Sequence, residues 1–351
     1  TYDGVAYTGG NGVTYSGFVN SETQSVLGGA LVYGGTSQGA VNVGSAYQIT
    51  ASGYVSGNYA ITYLPGTLTV TQAPLTVTAN AANKTYDGLA YSGGNGVSYA
   101  GLVNGETAAV LGGTLVYGGN SQGAVNVGSY GITASGYVSG NYAITYAQGT
   151  LTVTKAPLTV TAKAASKTYD GLAYSGGNGV TDSGFVNNET DSVLSGALVY
   201  GGDSQGAVNV GSAYQITPSG YVSGNYAITY LPGTLTVTQA PLTVTANAAN
   251  KTYDGLAYSG GNGVSYAGLV NGETAAVLGG TLVYGGNSQG AVNVGSYGIT
   301  ASGYVSGNYA ITYAQGTLTV TKAPLTVTAK AASKTYDGLA YSGGNGVTDS
   351  G

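Results

Sequence analysis

The 351-residue chain is rich in Gly (64) and Tyr (33), has no Cys, His, Met or Trp, and sets 8 basic residues, all Lys, against 13 Asp plus Glu for a net charge of -5. Without Cys or His there is no disulfide framework, no thiolate nucleophile, and neither the commonest general base nor the commonest metal ligand. With few Lys and no Arg there is no basic patch for nucleic acid, and no apolar run approaches the ~20 residues of a membrane-spanning helix, so neither nucleic acid nor membrane insertion is expected.

Self-similarity dominates the sequence. Thr-Tyr-Asp-Gly recurs with its tyrosine at Tyr2, Tyr86, Tyr169, Tyr253 and Tyr336. The spacings of 84, 83, 84 and 83 residues mean that two unit types alternate with a super-period of 167. Residues 84–184 are identical to 251–351, and residues 1–83 differ from 168–250 at eight positions. Near-identity of this kind points to recent duplication, which a spacer tolerates better than a catalyst does. The chain opens and closes inside units, so a longer array is expected.

The seam reads Thr67-Leu68-Thr69-Val70-Thr71-Gln72-Ala73-Pro74-Leu75-Thr76-Val77. Val70 and Leu75 are an odd number of residues apart, so on one unbroken strand their apolar sets would face opposite ways. Pro74 lacks the N–H of a central ladder. The chain is therefore expected to leave one small core at Gln72–Pro74 and enter the next. This gives a unit lacking its first strand at 1–72, units at 73–155, 156–239 and 240–322, and the start of a further unit at 323–351. A short Pro-containing linker is stiff, which predicts a semi-rigid array.

Within 73–155 the pattern predicts a first strand over Leu75–Ala79. Turn signals follow at Lys84–Gly88 and Gly93–Gly96. Asn104–Gly112 reads as the one short helix, with Asn104 as N-cap, Glu106 in the first turn and Gly112 as terminator. Strands follow over Thr114–Tyr117, Ser129–Thr133 and Asn141–Tyr146. The last is expected to form a hairpin with Thr150–Thr154 through Ala147-Gln148-Gly149. The fold class is mostly β: a tandem array of small β-rich domains, each with five to seven short strands and one short helix. A continuous β-solenoid is the alternative, disfavoured because no shorter sub-period is visible.

The segments Lys84–Gly88, Gly101–Thr107, Ser139–Tyr146 and Gly149–Ala162 recur in this order along the whole chain. In this they resemble the MBG/YDG-type repeats of filamentous-haemagglutinin-like bacterial surface adhesins. The resemblance implies an extracellular or bacterial cell-surface location and an adhesion-related stalk. It brings no catalytic residues with it.

Each chemical motif has a plainer structural reading. The Asp of Tyr-Asp-Gly (Asp3, Asp87, Asp170, Asp254, Asp337) has the oxygen chemistry for Ca²⁺, but each unit has too few carboxylates for a tight site, and a turn before Gly accounts for it. Glu22, Glu106, Glu189 and Glu273 read as first-turn helix acids and not as acid catalysts. Gly9–Gly12 and its copies lack the Lys-Ser/Thr and the helix of a phosphate loop. No paired carboxylates recur at glycosidase spacing. An isopeptide bond from the Lys of Lys-Thr-Tyr-Asp-Gly has no identifiable partner. Most tyrosines read as core or half-buried sheet residues, although exposed ones can stack on sugars. Asn83-Lys84-Thr85, Asn188-Glu189-Thr190 and Asn250-Lys251-Thr252 match a glycosylation acceptor. The expectation is thus a non-enzymatic stalk or fibre repeat with no catalytic, metal or cofactor residues. Its partners would be neighbouring units and other copies of the chain. The alternative is a carbohydrate- or surface-binding module repeated for avidity.

Overall fold

The computed structural model describes residues 1–350. The chain divides into two compact units, one comprising 1–158, 184–195 and 222–228, the other 159–183, 196–221 and 229–351. The repeat at 73–155, inside the first unit, shows the architecture. It has seven strands: β1 (Ala73–Ala79), β2 (Ala82–Thr85), β3 (Val97–Ala100), β4 (Gly112–Gly118), β5 (Gly128–Val138), β6 (Tyr142–Ala147) and β7 (Gly149–Thr154). They form a three-stranded sheet in the order β3-β1-β6 and a four-stranded sheet in the order β2-β7-β5-β4. The second unit repeats both sheets, with Ala240–Ala246 between Val264–Ala267 and Tyr309–Ala314, and with Ala249–Thr252, Gly316–Thr321, Gly295–Val305 and Gly279–Gly285 in sequence across the other. Sheets close within repeats; they do not run on as one solenoid.

The apolar phase explains how one chain builds two sheets. Leu75, Val77 and Ala79 are buried on β1, and Ala82 is buried on β2. The step from Ala79 to Ala82 is odd, so an unbroken strand would turn Ala82 to the wrong face. The break at Asn80-Ala81 lets the run cross from the first sheet to the second. β6 and β7 do the same around Gln148: β6 lies parallel to β1 from Ala73↔Tyr142 to Thr78↔Ala147, and β7 lies parallel to β2 from Ala82↔Leu151 to Thr85↔Thr154. The expected β6–β7 hairpin is therefore not formed. The two segments continue in one direction, and each takes a different partner. β7 instead pairs antiparallel with β5, from Gly149↔Ile132 to Val153↔Gly128.

The expected helix at Asn104–Gly112 is also absent. Only Ala108–Val110 forms a single 3₁₀ turn, with Thr107 as N-cap. Asn104 and Gly105 both have positive φ, at 51° and 73°, which reverses the chain before any helix can begin. A two-turn helix had little to stabilise it, and this tight turn satisfies the Asn-Gly sequence instead.

The seam is packed. Val43 and Val70 lie against a cluster of buried Tyr2, Ala73, Leu75, Val77 and Tyr142. In the second unit one buried cluster contains Ile216, Leu235 and Val237 before the seam and Ala240, Leu242, Val244 and Tyr309 after it. At the expected passage from one core to the next, Ala73 and Pro74 already belong to β1, and the odd phase step carries the chain into the next three-stranded sheet while apolar contact continues. Pro74 fits because it pairs only along β6, opposite Ala143; the β1–β3 ladder begins two residues later, at Thr76↔Ala100.

The incomplete pieces act as internal controls. Residues 1–72 contain a three-stranded sheet of Gly28–Gly34, Gly44–Val55 and Gly66–Val70, but have no counterpart of β1. Tyr59–Leu64, which match β6, form no strand there. Thr326–Ala329 and Val347–Ser350 pair as a hairpin in which every side chain is exposed. Neither piece builds the full sandwich without the strands of a complete repeat.

Candidate functional site

The recurring motifs converge on the junctions between consecutive repeats. The tyrosine of Thr-Tyr-Asp-Gly directly follows β2, and its N–H is anchored at the end of the strand that pairs with β2: Tyr86 N donates to Thr154 O, the last residue of β7, at 2.8 Å, and Tyr2 N donates to Thr71 O, just past Gly66–Val70, at 2.7 Å. Its hydroxyl reaches the glutamate of the next repeat. Tyr2 donates to Glu106 Oε1, while Tyr142, at the start of β6, donates to Glu106 Oε2. The second junction repeats this with Tyr86 to Glu189 Oε1 at 2.6 Å and Tyr226 to Glu189 Oε2 at 2.5 Å. The third uses Tyr169 to Glu273 Oε1 at 2.6 Å, with Tyr309 on Oε2. The two rings meet edge to face, with centroids 5.3, 5.4 and 5.4 Å apart in the three junctions. That is the favoured geometry for aromatic pairs.

Asparagines lock the backbone beside each clamp. Asn141 O accepts from Ala73 N at 3.0 Å; its Oδ1 accepts from Val43 N at 3.0 Å, and its Nδ2 donates to Asn42 Oδ1 at 2.9 Å. Asn225 and Asn308 make the same three bonds at their junctions. Asn104, Asn187 and Asn271 each donate through Nδ2 to the glycine carbonyl of the facing Tyr-Asp-Gly turn, at 2.9, 3.3 and 3.1 Å. That glycine is needed twice over. Gly88 has φ +72°, and a Cβ there would lie 2.7 Å from Asn187 Cβ.

Burial records what the junction does. Tyr2, Tyr86 and Tyr169 are each 6% exposed, whereas Tyr253 is 43% exposed. Tyr253 N still donates to Thr321 O at 2.8 Å, so its backbone is placed alike, but among the described residues no glutamate meets its hydroxyl. The hydrogen bond to glutamate, followed by burial, pushes the Tyr2, Tyr86 and Tyr169 phenols up to about 12. Burial, then the same glutamates, raises Tyr142, Tyr226 and Tyr309. The bonds from Tyr142 and Tyr2 hold Glu106 below the usual carboxylate range. Each clamp is a carboxylate held between two neutral phenols, a binding device with both oxygens engaged.

Glu106, Glu189 and Glu273 are therefore junction acceptors, Glu22 accepts from Tyr59 within its own repeat, and the first-turn helix role is corrected. The sequence pattern missed this because the tyrosine partner lies about a hundred residues away. The signal was there: one Tyr-Asp-Gly, one Asn-X-Glu (X being Ser, Gly or Asn) and one Gly-Asn-Tyr recur in order in the first four units.

The Asp of Tyr-Asp-Gly closes its own turn. Asp87 Oδ1 lies 2.8 Å from Lys84 Nζ and accepts from Leu89 N at 2.9 Å. Asp170, Asp254 and Asp337 pair likewise with Lys167, Lys251 and Lys334. Asp3 likewise accepts from Val5 N at 3.0 Å. The Lys hydrogen bond, then the backbone N–H, lowers the Asp87 carboxyl. Among the described residues no group of three or more acidic, His or Cys side chains is placed to hold a metal ion. The Gly-Gly-Asn-Gly loop is tied down by a glutamine: Gly93 N donates to Gln122 Oε1 at 2.7 Å, and Gln122 Nε2 donates to Gly93 O at 2.8 Å. Among the described residues no helix is long and apolar enough to cross a membrane.

No curated protein matches the sequence. Among solved structures the chain is similar to Drosophila N-cadherin EC1-4 (10% identity, TM-score 0.24, covering 79% of this chain and 83% of that one). It is also similar to a protocadherin gammaB7 EC3-6 cis-dimer (10% identity, TM-score 0.28, 76% and 78%). Overlaps at these scores support no argument. The model of the MBG domain (YGX type) matches four times, at residues 6–69, 75–152, 158–236 and 242–319. The matches cover most of the sequence, and the chain belongs to the MBG domain (YGX type) family.

Proposed function

We propose that this chain is a non-enzymatic stalk or fibre segment of a large secreted bacterial surface adhesin, extending a distal tip or contributing to an extracellular matrix. The observation that carries the reading is the clamp itself. The same Tyr-Glu-Tyr bridge, asparagine lock and buried seam are rebuilt at each of three successive junctions. A device repeated at every joint, with both carboxylate oxygens engaged, suits load transmission and continuity. The family membership and the adhesin resemblance support an extracellular or cell-surface setting. The partners in this reading are neighbouring repeats and other copies of the chain.

The test is mechanical. Stretching the chain by single-molecule force spectroscopy should give a series of similar unfolding events, each releasing roughly 280 Å of contour length, from ~3.4 Å per residue over one repeat. A single low-force extension without discrete events would overturn the stalk reading.

A further inference from the structure

The two repeat types differ beside the junction of β1 and β2 in a way the stalk reading does not use. In repeats 73–155 and 240–322 the residue after β1 is asparagine, and its amide closes the nearby loop: Asn80 Nδ2 donates to Asn95 O, and Asn247 Nδ2 to Asn262 O, both at 3.1 Å. In repeat 156–239 this position is Lys163. Three residues on, Ser166 stands where the other two repeats have Asn83 and Asn250. At this place there is a groove of about 530 Å³ lined by Ser166, Tyr174, Asn178, Thr234 and Thr236, with backbone and methyl surface from Ala164, Ala165 and Gly177. The volume lies in the range of small-ligand clefts.

The lining has one chemical character. Tyr174 is half-buried: it packs against the apolar cluster beneath and also lines the groove. Around it stand three hydroxyls and an amide, all uncharged. Lys163 is exposed, and its Cδ and Nζ lie 3.9 Å from the Cβ position of Gly179, beside Asn178 at the rim. It makes no ion pair among the described residues, whereas Lys167 is committed to Asp170 at 2.7 Å. An aromatic platform, neutral hydrogen-bonding groups and one uncommitted cation suit a sugar ring that bears a carboxylate. A peptide or lipid acyl chain would want more apolar surface than this groove offers.

We propose that the groove of repeat 156–239 is a binding subsite for acidic saccharides of the hexuronate class. Tyr174 stacks on the ring, Ser166, Asn178, Thr234 and Thr236 meet its hydroxyls, and Lys163 takes the carboxylate. In the sequence, Lys330 and Ser333 repeat the Lys163 and Ser166 positions one super-period on, so such subsites would recur once in every two repeats. Weak single contacts would then add through avidity along a polysaccharide.

The test measures binding of the intact chain to polygalacturonate, dextran and polyglutamate by calorimetry. Polygalacturonate should bind, dextran should bind at least tenfold more weakly, and polyglutamate should not bind measurably. Lys163→Asn and Ser166→Asn install the residues of the sister repeats, which fold with them, and each should weaken polygalacturonate binding about tenfold. Tyr174→Ala should abolish it. No polygalacturonate binding, equal binding of dextran or polyglutamate, or unchanged affinity in Lys163→Asn and Ser166→Asn would each overturn the proposal. Failure here leaves the unfolding pattern of the stalk untouched, so the two readings fail separately.

Discussion

At the residue scale, each junction is defined by a carboxylate between two tyrosines, flanking asparagines and one glycine. Tyr86 and Glu189 belong to different repeats and touch through one charge-assisted hydrogen bond at 2.6 Å. Such bonds contribute about 1.5–3 kcal/mol when protected, and less where the carboxylate is half-exposed as here. In a double-mutant cycle of Tyr86→Phe and Glu189→Gln, thermal or chemical unfolding should report a coupling of about 1 kcal/mol. Strict additivity would mean that the contact carries no energy. Gly171 has φ +73°, and a Cβ there would lie 2.8 Å from Asn271 Cβ. Gly171→Ala should therefore destabilise by more than the ~1 kcal/mol of backbone strain alone, because the asparagine must also withdraw. A melt equal to that of wild type would refute the close approach. Position 15/182 shows the opposite case. Tyr15 and Asp182 are both exposed, as are the other acid- or polar-gaining positions Ser21, Gln24, Gly28 and Thr36, so near-identical repeats differ there at little cost.

At the element scale, five of the seven strands were legible; the four-residue β2 and β3, which lie beside the turn signals, and the pairing partners were not. The alternation of Leu75, Val77 and Ala79, and of Leu151 and Val153, marks β1 and β7 directly. The odd phase steps were readable as crossings between faces. What local pattern could not supply was that β6 and β7 run on into different sheets: both readings need a bend near Gln148, and only the distant β1–β2 run decides between them. The helix reading failed for a related reason. Asn104 is a good helix N-cap and an equally good positive-φ turn residue; the turn closes locally, with Glu106 N donating to Val103 O at 2.9 Å, and Asn20-Ser21 take the same positive φ with no facing glycine carbonyl among the described residues. Of the candidate site, the residues were all visible as repeated motifs; their meeting across some hundred residues was not. The Tyr-Asp-Gly turn, a local element, read correctly as a turn. Because Asp87 is satisfied by Lys84 and Leu89 N, a chelator should leave the melting temperature unchanged. Asp87→Ala should cost under about 1 kcal/mol, the range of an exposed ion pair, and less at high salt. A large fall in melting temperature with EDTA would point to a bound divalent ion.

At the scale of the whole molecule, the account is that repeats support one another through their joints. Titration offers one view of this. The Tyr2, Tyr86 and Tyr169 phenols are raised in the folded chain from the ordinary value of 10.0 to about 12. Their contribution is complete below pH about 10 and is lost as the pH rises through the folded value. The melting temperature should therefore be level through neutral pH and fall between pH 10 and 12, more steeply in wild type than with Tyr2, Tyr86 and Tyr169 all changed to Phe. A parallel fall in both would detach alkaline unfolding from the clamp. The most direct measurement is urea unfolding of the intact chain against the variant carrying Glu106→Gln, Glu189→Gln and Glu273→Gln. Coupled repeats expose more surface per transition, so wild type should unfold with a steeper slope and a higher midpoint, and the variant should lose both as its repeats unfold more independently. Superimposable curves for the two proteins would contradict the claim that these junctions hold the array together.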